Sequence, residues 1–170
     1  MDSTTATRDS AKKLTATTVR ARSWSPSLLC PNTEGIDEDT TRSMTQMMQV
    51  YDSIGGVVSG DELVGLFCGV SAQPISRIAH WIVDRRVVRI PWRSQTLLPL
   101  FQFDLQGNSL RPGIEQIAAE LSGVFDDLDL AIWFAQPNTW LNGVLPAHVF
   151  SHQLPAVLEA ARADRFIAMG

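Results

Sequence analysis

Two short helix patterns, separated only by a tight turn, occupy residues 59–84 and restrict the folds open to this chain. Ser59 and Glu62 stand three residues apart, as in a capping box that begins a helix. Gly69-Val70-Ser71 is typical of a tight turn whose last residue caps the next helix, and Pro74 falls in that helix's first turn. Two short helices joined by a glycine-containing turn form a helix-turn-helix pattern.

Apolar spacing predicts which face of each of these helices is buried. In the first helix the expected buried residues are Leu63, Leu66 and Phe67. In the second helix they are Ile75, Ile78, Ala79 and Ile82, at positions i, i+3, i+4 and i+7. The opposite face of the second helix then presents Gln73, Ser76, Arg77, His80 and Asp84.

The flanking segments predict one hairpin and several further helices. Residues 87–103 are β-branched and aromatic around a polar Arg93-Ser94-Gln95, which predicts a β-hairpin, a wing beside the second helix. Upstream, a helix ending at Gly55-Gly56 carries an apolar face suited to core or dimer packing, made of Met44, Met47, Met48, Tyr51 and Ile54. Downstream, the predicted buried helical residues are Ile114, Ile117, Ala118, Leu121, Leu130, Trp133 and Phe134. The expected fold is mainly α: a helix-turn-helix with a short β-hairpin wing, followed by an α-helical C-terminal domain.

The arginines are concentrated in one part of an acidic chain. The net charge is −4, yet residues 68–94 hold five arginines against the single acid Asp84. A basic patch on a helix-turn-helix is the electrostatic footprint of DNA binding. We expect base-edge contacts in the major groove from Gln73, Ser76, Arg77 and His80. We expect phosphate contacts from Arg85, Arg86, Arg89 and Arg93. The alternative is a solvated helix face whose C-terminal arginines favour the helix dipole.

Composition divides the chain into three regions: a disordered or loosely ordered arm (1–38), a winged helix-turn-helix-like domain (39–104) and a helical domain (105–170). The arm is rich in Ser, Thr and basic residues, a composition that a transit peptide also shows. Residues 104–170 hold eight acids against three arginines, which indicates a partner-binding or dimerising role rather than DNA contact. No apolar run is long enough for a membrane helix, and two distant cysteines fit a reducing compartment, so we expect a cytoplasmic protein.

Signals for catalysis are weak. There is no phosphate-cradling glycine loop and no dinucleotide fingerprint. His148 and His152 are four residues apart and would share a face if both lay on one helix, but no third metal ligand is evident. Asp126, Asp127 and Asp129 are better explained as first-turn carboxylates that favour the helix dipole than as an acid pair. We therefore predict no catalytic residue, no metal and no cofactor. A small hydrolase, resting on scattered His and Asp, is the poorest hypothesis.

Read in order, residues 58–165 resemble antitoxins of the Xre/MbcA/ParS type. The C-terminal signature consists of Trp133, Pro137, Asn138, Leu141, Gly143 and Pro146, then Val157, Leu158, Ala160 and Ala161, with Arg111-Pro112-Gly113 before it. The first half is similar to the regulators that precede this domain in one subgroup, through Asp61-Glu62-Leu63, Gly69-Val70-Ser71 and the run from Pro99 to Asp104. The helix containing Ile78-Ala79-His80-Trp81 departs from the polar helix of such regulators.

This resemblance implies a regulator that binds operator DNA, as a homodimer because symmetric half-sites suit dimers. It also implies a protein partner, a RES-type toxin, held by the C-terminal helical domain. The partner-binding residues it implies are Trp133, Pro137, Asn138, Trp140, Leu141 and Gly143. A second hypothesis is an interaction module or adaptor in a larger assembly, in which the arginines meet an acidic protein surface and no DNA is bound.

Overall fold

The structure, a computed structural model, describes residues 38–67, 73–92 and 94–170. These ranges are mainly helical, as predicted, and they include two small antiparallel sheets. The helices are α1 (Glu38–Ser53), α2 (Gly60–Phe67), α3 (Pro74–Val83), α4 (Ile114–Leu121), α5 (Asp127–Ala135), α6 (Pro146–Val149) and α7 (Leu154–Met169). The strands are β1 (Val57–Ser59), β2 (Ile90–Trp92), β3 (Gln95–Pro99), β4 (Phe103–Asp104) and β5 (Ser109–Leu110). The predictions for the N-terminal arm and for the tight turn at residues 69–71 lie outside the described residues. The prediction that Ser71 caps the second helix is wrong, because α3 begins at Pro74 and its N-cap is Gln73, which makes no side-chain capping bond.

The methionine face of α1 packs inside the chain. Met47, Met48 and Tyr51 are almost fully buried in the larger of two hydrophobic core clusters. Of the two roles predicted for this apolar face, core packing and dimer packing, core packing therefore accounts for its spacing. The Tyr51 hydroxyl donates a hydrogen bond of 2.7 Å to the carbonyl of Ala131 on α5. Gly55 and Gly56 adopt φ values of 117° and 87°, and these left-handed conformations end the segment as predicted.

Helix α2 begins with the predicted capping box. The Ser59 amide donates to the Glu62 carboxylate at 2.8 Å, and the Glu62 amide donates back to the Ser59 hydroxyl at 3.3 Å. These reciprocal bonds satisfy two amides that would otherwise have no partner at the start of the helix. Leu63 and Phe67 are buried and Leu66 is partly buried, so the predicted inner face is confirmed.

Helix α3 is rotated relative to the predicted burial pattern. Ile78 is buried as expected, but Ile75 is 66% exposed and Ala79 is also exposed, so that part of the prediction is wrong. The inner position belongs to Trp81, whose ring centroid lies 6.2 Å from that of Phe67 and 6.1 Å from that of Phe103. An indole buries far more apolar surface than an alanine, so packing Trp81 sets the rotation.

The three-stranded sheet has the order β1-β3-β2, with both pairings antiparallel. The β2–β3 pairing, in which Trp92 lies opposite Gln95, matches the predicted hairpin. Behind it, the fully buried Gln102 accepts a 2.7 Å bond from the Val88 amide and donates 2.9 Å to the Val88 carbonyl. This side chain therefore acts as a substitute for a strand neighbour on the segment that leads into β2.

The C-terminal helices bury the residues that their spacing predicts: Ile114, Ile117, Ala118 and Leu121 on α4, and Leu130, Trp133 and Phe134 on α5. Gly113 precedes α4 with φ 90°, and a Cβ there would lie 2.3 Å from a Leu154 methyl carbon. A side chain at this position would displace that of Leu154, and the left-handed φ of Gly113 itself favours glycine. Residue 104 is the predicted boundary between the winged domain and the helical domain. The larger of the two hydrophobic core clusters contains residues from both sides of it. Within the described ranges, no helix combines the length and apolarity needed to cross a bilayer.

Candidate nucleic-acid and partner interfaces

The predicted base-reading residues share the outer face of α3. Gln73, Ser76 and His80 are exposed there, and Gln73 immediately precedes the first turn of the helix. Arg77 is also exposed, and its guanidinium donates a 3.0 Å hydrogen bond to the carbonyl of Asn108, in the turn between β4 and β5. Polar donors and acceptors therefore lie side by side on this face.

Two large apolar side chains interrupt the same surface. Ile75 is 66% exposed and Val83 is 76% exposed, at opposite ends of α3. With the exposed Ala79 between them they are spaced four residues apart, so they form one stripe along the helix. The outer face of α3 is consequently mixed, apolar in this stripe and polar beside it.

Three of the predicted phosphate contacts are held in ion pairs by acids of the C-terminal half. Arg85 and Arg89 both donate to Asp127, at 3.0 Å to Oδ1 and 2.5 Å to Oδ2. Arg86 lies 2.5 Å from a carboxylate oxygen of Glu115. The fourth predicted contact, Arg93, lies outside the described residues. The acidic C-terminal half therefore neutralises, within the chain itself, part of the positive charge of residues 68–94, called here the arginine segment.

Asp127 is the centre of this network. Burial raises the pKa of its carboxyl, but the hydrogen bonds and charges of Arg89 and Arg85 outweigh burial and hold that pKa below its ordinary value. Arg89 also donates 2.9 Å to the carbonyl of Ile82 at the end of α3, and its side chain is only 17% exposed. Arg89 thus ties α3 to α5, whereas Arg85 and Arg86 remain nearly half exposed.

The predicted partner-binding residues converge on an acid that sequence reasoning missed. Asp164 on α7 accepts hydrogen bonds from the indole of Trp133 at 2.7 Å, the amide of Asn138 at 2.6 Å and the indole of Trp140 at 3.0 Å. A signal for it exists in the sequence. Asp164 lies seven residues after Val157, in line with the buried residues of α7, and a half-buried carboxylate there needs donors.

The connector between α5 and α6 is organised by Asn138. Its side-chain oxygen accepts a 2.9 Å hydrogen bond from the backbone amide of Trp140. Its backbone carbonyl accepts a 2.9 Å hydrogen bond from the backbone amide of Gly143. Gly143 adopts φ 78°, which suits glycine. Leu141 is buried, whereas Pro137, Gly143 and 56% of Trp140 are exposed. Of the six predicted residues, Trp140, Pro137 and Gly143 are therefore the exposed ones.

The end of α7 adds exposed apolar surface. Phe166, Ile167 and Met169 are 79%, 64% and 68% exposed. Beside them a groove of about 530 Å³ is lined by Phe166, Met169 and the ion-paired side chains of Glu120, Arg162 and Arg165. The hydrogen bond from Arg162, together with the interactions of Arg165, lowers the pKa of the Glu120 carboxyl against the effect of burial.

The histidines do not form the arrangement that a metal site would require. Helix α6 ends at Val149 and His152 lies in the following turn, so the shared helix face considered for His148 and His152 is wrong. No cluster of three His, Cys, Asp or Glu side chains suited to a metal occurs among the described residues. Asp127 and Asp129 lie in the first turn of α5 as predicted, whereas Asp126 precedes that turn as the N-cap and accepts from the Asp129 amide at 2.8 Å.

Comparisons of the chain with protein-family models, with curated proteins and with solved structures find no match.

Proposed function

We propose that this chain is an antitoxin-like regulator that binds operator DNA through residues 39–104 and a protein partner through residues 105–170. The observation that carries the proposal is the element order α1-β1-α2-α3-β2-β3 with strand order β1-β3-β2. That order suits a helix-turn-helix with a β2–β3 wing, in which α3 is the recognition helix. The proposal assigns no enzymatic activity, metal or cofactor to the chain.

In this proposal the outer face of α3 enters the major groove. Gln73, Ser76 and His80 are exposed donors and acceptors suited to base edges, and Arg77 extends the same face. The more exposed arginines of the basic segment, Arg85 and Arg86, would contact phosphates together with Arg93. Arg89 is the weakest of the proposed phosphate contacts because its guanidinium bonds both Ile82 and Asp127.

The proposed partner surface is formed by the connector between α5 and α6 and by the end of α7. Trp140 and the exposed apolar end of α7, Phe166 to Met169, provide the aromatic and aliphatic anchors typical of binding hot spots. The resemblance to Xre/MbcA/ParS antitoxins favours a RES-type toxin as the partner, inhibited by steric cover. It also favours a homodimer on a symmetric operator and a cytoplasmic location.

The test is binding of the purified protein to its own promoter DNA and to random DNA over a salt series. We expect a specific complex whose affinity falls steeply with salt. Arg77→Ala should weaken binding by about 1–3 kcal/mol and relax sequence preference. Arg86→Ala should weaken binding to all sequences evenly. Equal binding by the wild type and both variants would exclude this assignment of the DNA-contacting residues.

A second candidate is an interaction module that does not bind DNA. It is favoured by the ion pairs of Arg85, Arg86 and Arg89 with the chain's own acids, and by the exposed Ile75 and Val83 on α3. For this candidate we expect no retention of DNA even at low salt, together with a stoichiometric protein partner. Ile75→Ser combined with Val83→Ser would then abolish partner binding and leave folding intact.

A further inference from the structure

The two acids that pair with the arginine segment occupy its guanidinium groups much as a phosphate would. Both oxygens of Asp127 accept from arginines, Oδ1 from Arg85 and Oδ2 from Arg89. Glu115 holds Arg86 through one oxygen at 2.5 Å. Charged oxygens accepting from guanidinium N–H groups are the contacts that arginines make with nucleic-acid phosphates.

These ion pairs join two parts of the chain to which the proposed function gives different roles. The arginines lie between the end of α3 and the start of β2, whereas Glu115 and Asp127 lie in the first turns of α4 and α5. The negative charge of Asp127 lies within hydrogen-bond reach of both guanidiniums, well inside a Debye length of about 8 Å. A phosphate that approaches Arg85 is therefore repelled by the carboxylate that already occupies it.

We propose that Asp127 and Glu115 restrain DNA binding by competing with phosphates for Arg85, Arg86 and Arg89. The inference rests on the proposed DNA-binding function. Arg85 and Arg86 are 47% and 44% exposed, so their pairs exchange with an incoming phosphate more readily than that of Arg89.

The test compares Asp127→Asn and Glu115→Gln with controls that change the net charge equally. Asp129 is exposed in the same first turn of α5, so Asp129→Asn is the control for Asp127→Asn. Glu159 on α7 pairs with Arg162, away from the arginine segment, so Glu159→Gln is the control for Glu115→Gln. The probe is a fluorescently labelled random-sequence duplex, titrated by anisotropy at one low salt concentration.

We expect Asp127→Asn to tighten duplex binding about tenfold relative to Asp129→Asn, because two partly exposed ion pairs no longer compete. Glu115→Gln should tighten binding about threefold relative to Glu159→Gln, since only one pair is removed. The double variant should bind most tightly. Duplex binding by Asp127→Asn without binding by the wild type would also support the proposal.

Two outcomes overturn the inference, and they differ in what they imply for the proposed function. If both variants bind the duplex no more tightly than their controls, competition is excluded while DNA binding stands. If neither the wild type nor any variant retains the duplex at low salt, DNA binding and its restraint both fail. Circular dichroism checks folding, and Glu115→Gln decides alone if Asp127→Asn does not fold.

Discussion

The indole nitrogen of Trp133 lies 2.7 Å from a carboxylate oxygen of Asp164, although the two residues are 31 positions apart in the chain. The same carboxylate receives the Asn138 amide and the Trp140 indole. Two signature residues of the C-terminal region, Trp133 and Asn138, are therefore positioned by α7. Their burial means that they shape the connector, whereas the Trp140 side chain stays 56% exposed.

Removing this carboxylate should loosen the whole connector. We expect Asp164→Ala to lower the free energy of unfolding by about 2–4 kcal/mol, because three donors lose a charged acceptor and the Trp133 and Asn138 donors are buried. Urea unfolding followed by tryptophan fluorescence measures the loss. Glu159→Ala, an exposed acid on the same helix, should change stability by less than about 0.5 kcal/mol. Similar losses in both variants would contradict the role given to Asp164.

Gln102 should be as important for the stability of the first half of the chain as Asp164 is for the connector. Its side chain bonds the Val88 amide, the Val88 carbonyl and the Pro99 carbonyl, all in the interior. Gln102→Leu keeps the volume but leaves these backbone groups unpaired, so we expect a loss of about 3 kcal/mol in urea unfolding. Gln116→Leu, on the exposed side of α4, is the matched control and should be near neutral. A Gln102→Leu variant as stable as the control would disprove this account.

Local signals in the sequence predicted the parts of the fold that local interactions determine. The Ser59–Glu62 capping box and the buried face of α4 follow from spacings within one or two helical turns, and both are present. The predicted face of α3 failed because two rotations of that helix bury comparable numbers of apolar residues. The choice between them depends on aromatic neighbours such as Phe103, distant in sequence, that receive Trp81.

The ion pairs between residues distant in the chain could not be predicted from the sequence either. The sequence placed a basic segment and an acidic half in one chain, but it did not indicate that Asp127 would meet Arg85 across 42 positions. From the sequence alone, Asp127 and Arg85 could each have faced solvent or an external partner. The position of Asp164 in line with Val157 and Ala161 on α7 was the one readable clue to the convergence of Trp133 and Asn138, because a half-buried carboxylate there requires donors.

Tyr51, the single tyrosine of the chain, should make stability sensitive to alkaline pH. Burial raises the pKa of its hydroxyl, so the folded state keeps the proton while the unfolded state releases it above about pH 10. The contribution of protonated Tyr51 to the free energy of unfolding is fully present below about pH 10. Above about pH 10 the free energy of unfolding falls by about 1.4 kcal/mol per pH unit.

The comparison is Tyr51→Phe, which lacks both the ionisation and the bond to the Ala131 carbonyl. At neutral pH we expect this variant to be less stable than the wild type by about 1–2 kcal/mol. Above pH 10 the difference should shrink, because only the wild type continues to lose stability. Urea midpoints measured across this range test it, and a difference that does not vary with pH would contradict the burial of an un-ionised Tyr51.

Arg85 ends α3 in a conformation that arginine adopts at a cost. Its φ is 53°, and the amides of Arg85 and Arg86 donate to the carbonyls of Ile82 and Trp81, the hydrogen bonds of a Schellman motif. Glycine is the usual residue at this left-handed position, since a side chain there costs about 1–2 kcal/mol. The half-exposed ion pair with Asp127 offsets about 0–1 kcal/mol of that cost.

Arg85→Ala and Arg85→Gly separate these two effects. Both variants lose the ion pair, but only glycine removes the backbone strain. We therefore expect Arg85→Gly to be more stable than Arg85→Ala by about 1 kcal/mol and to equal or exceed the wild type. Thermal and urea unfolding of the three proteins measure the order. If Arg85→Ala proves at least as stable as Arg85→Gly, the strain is absent and the ion pair with Asp127 alone accounts for the arginine at this position.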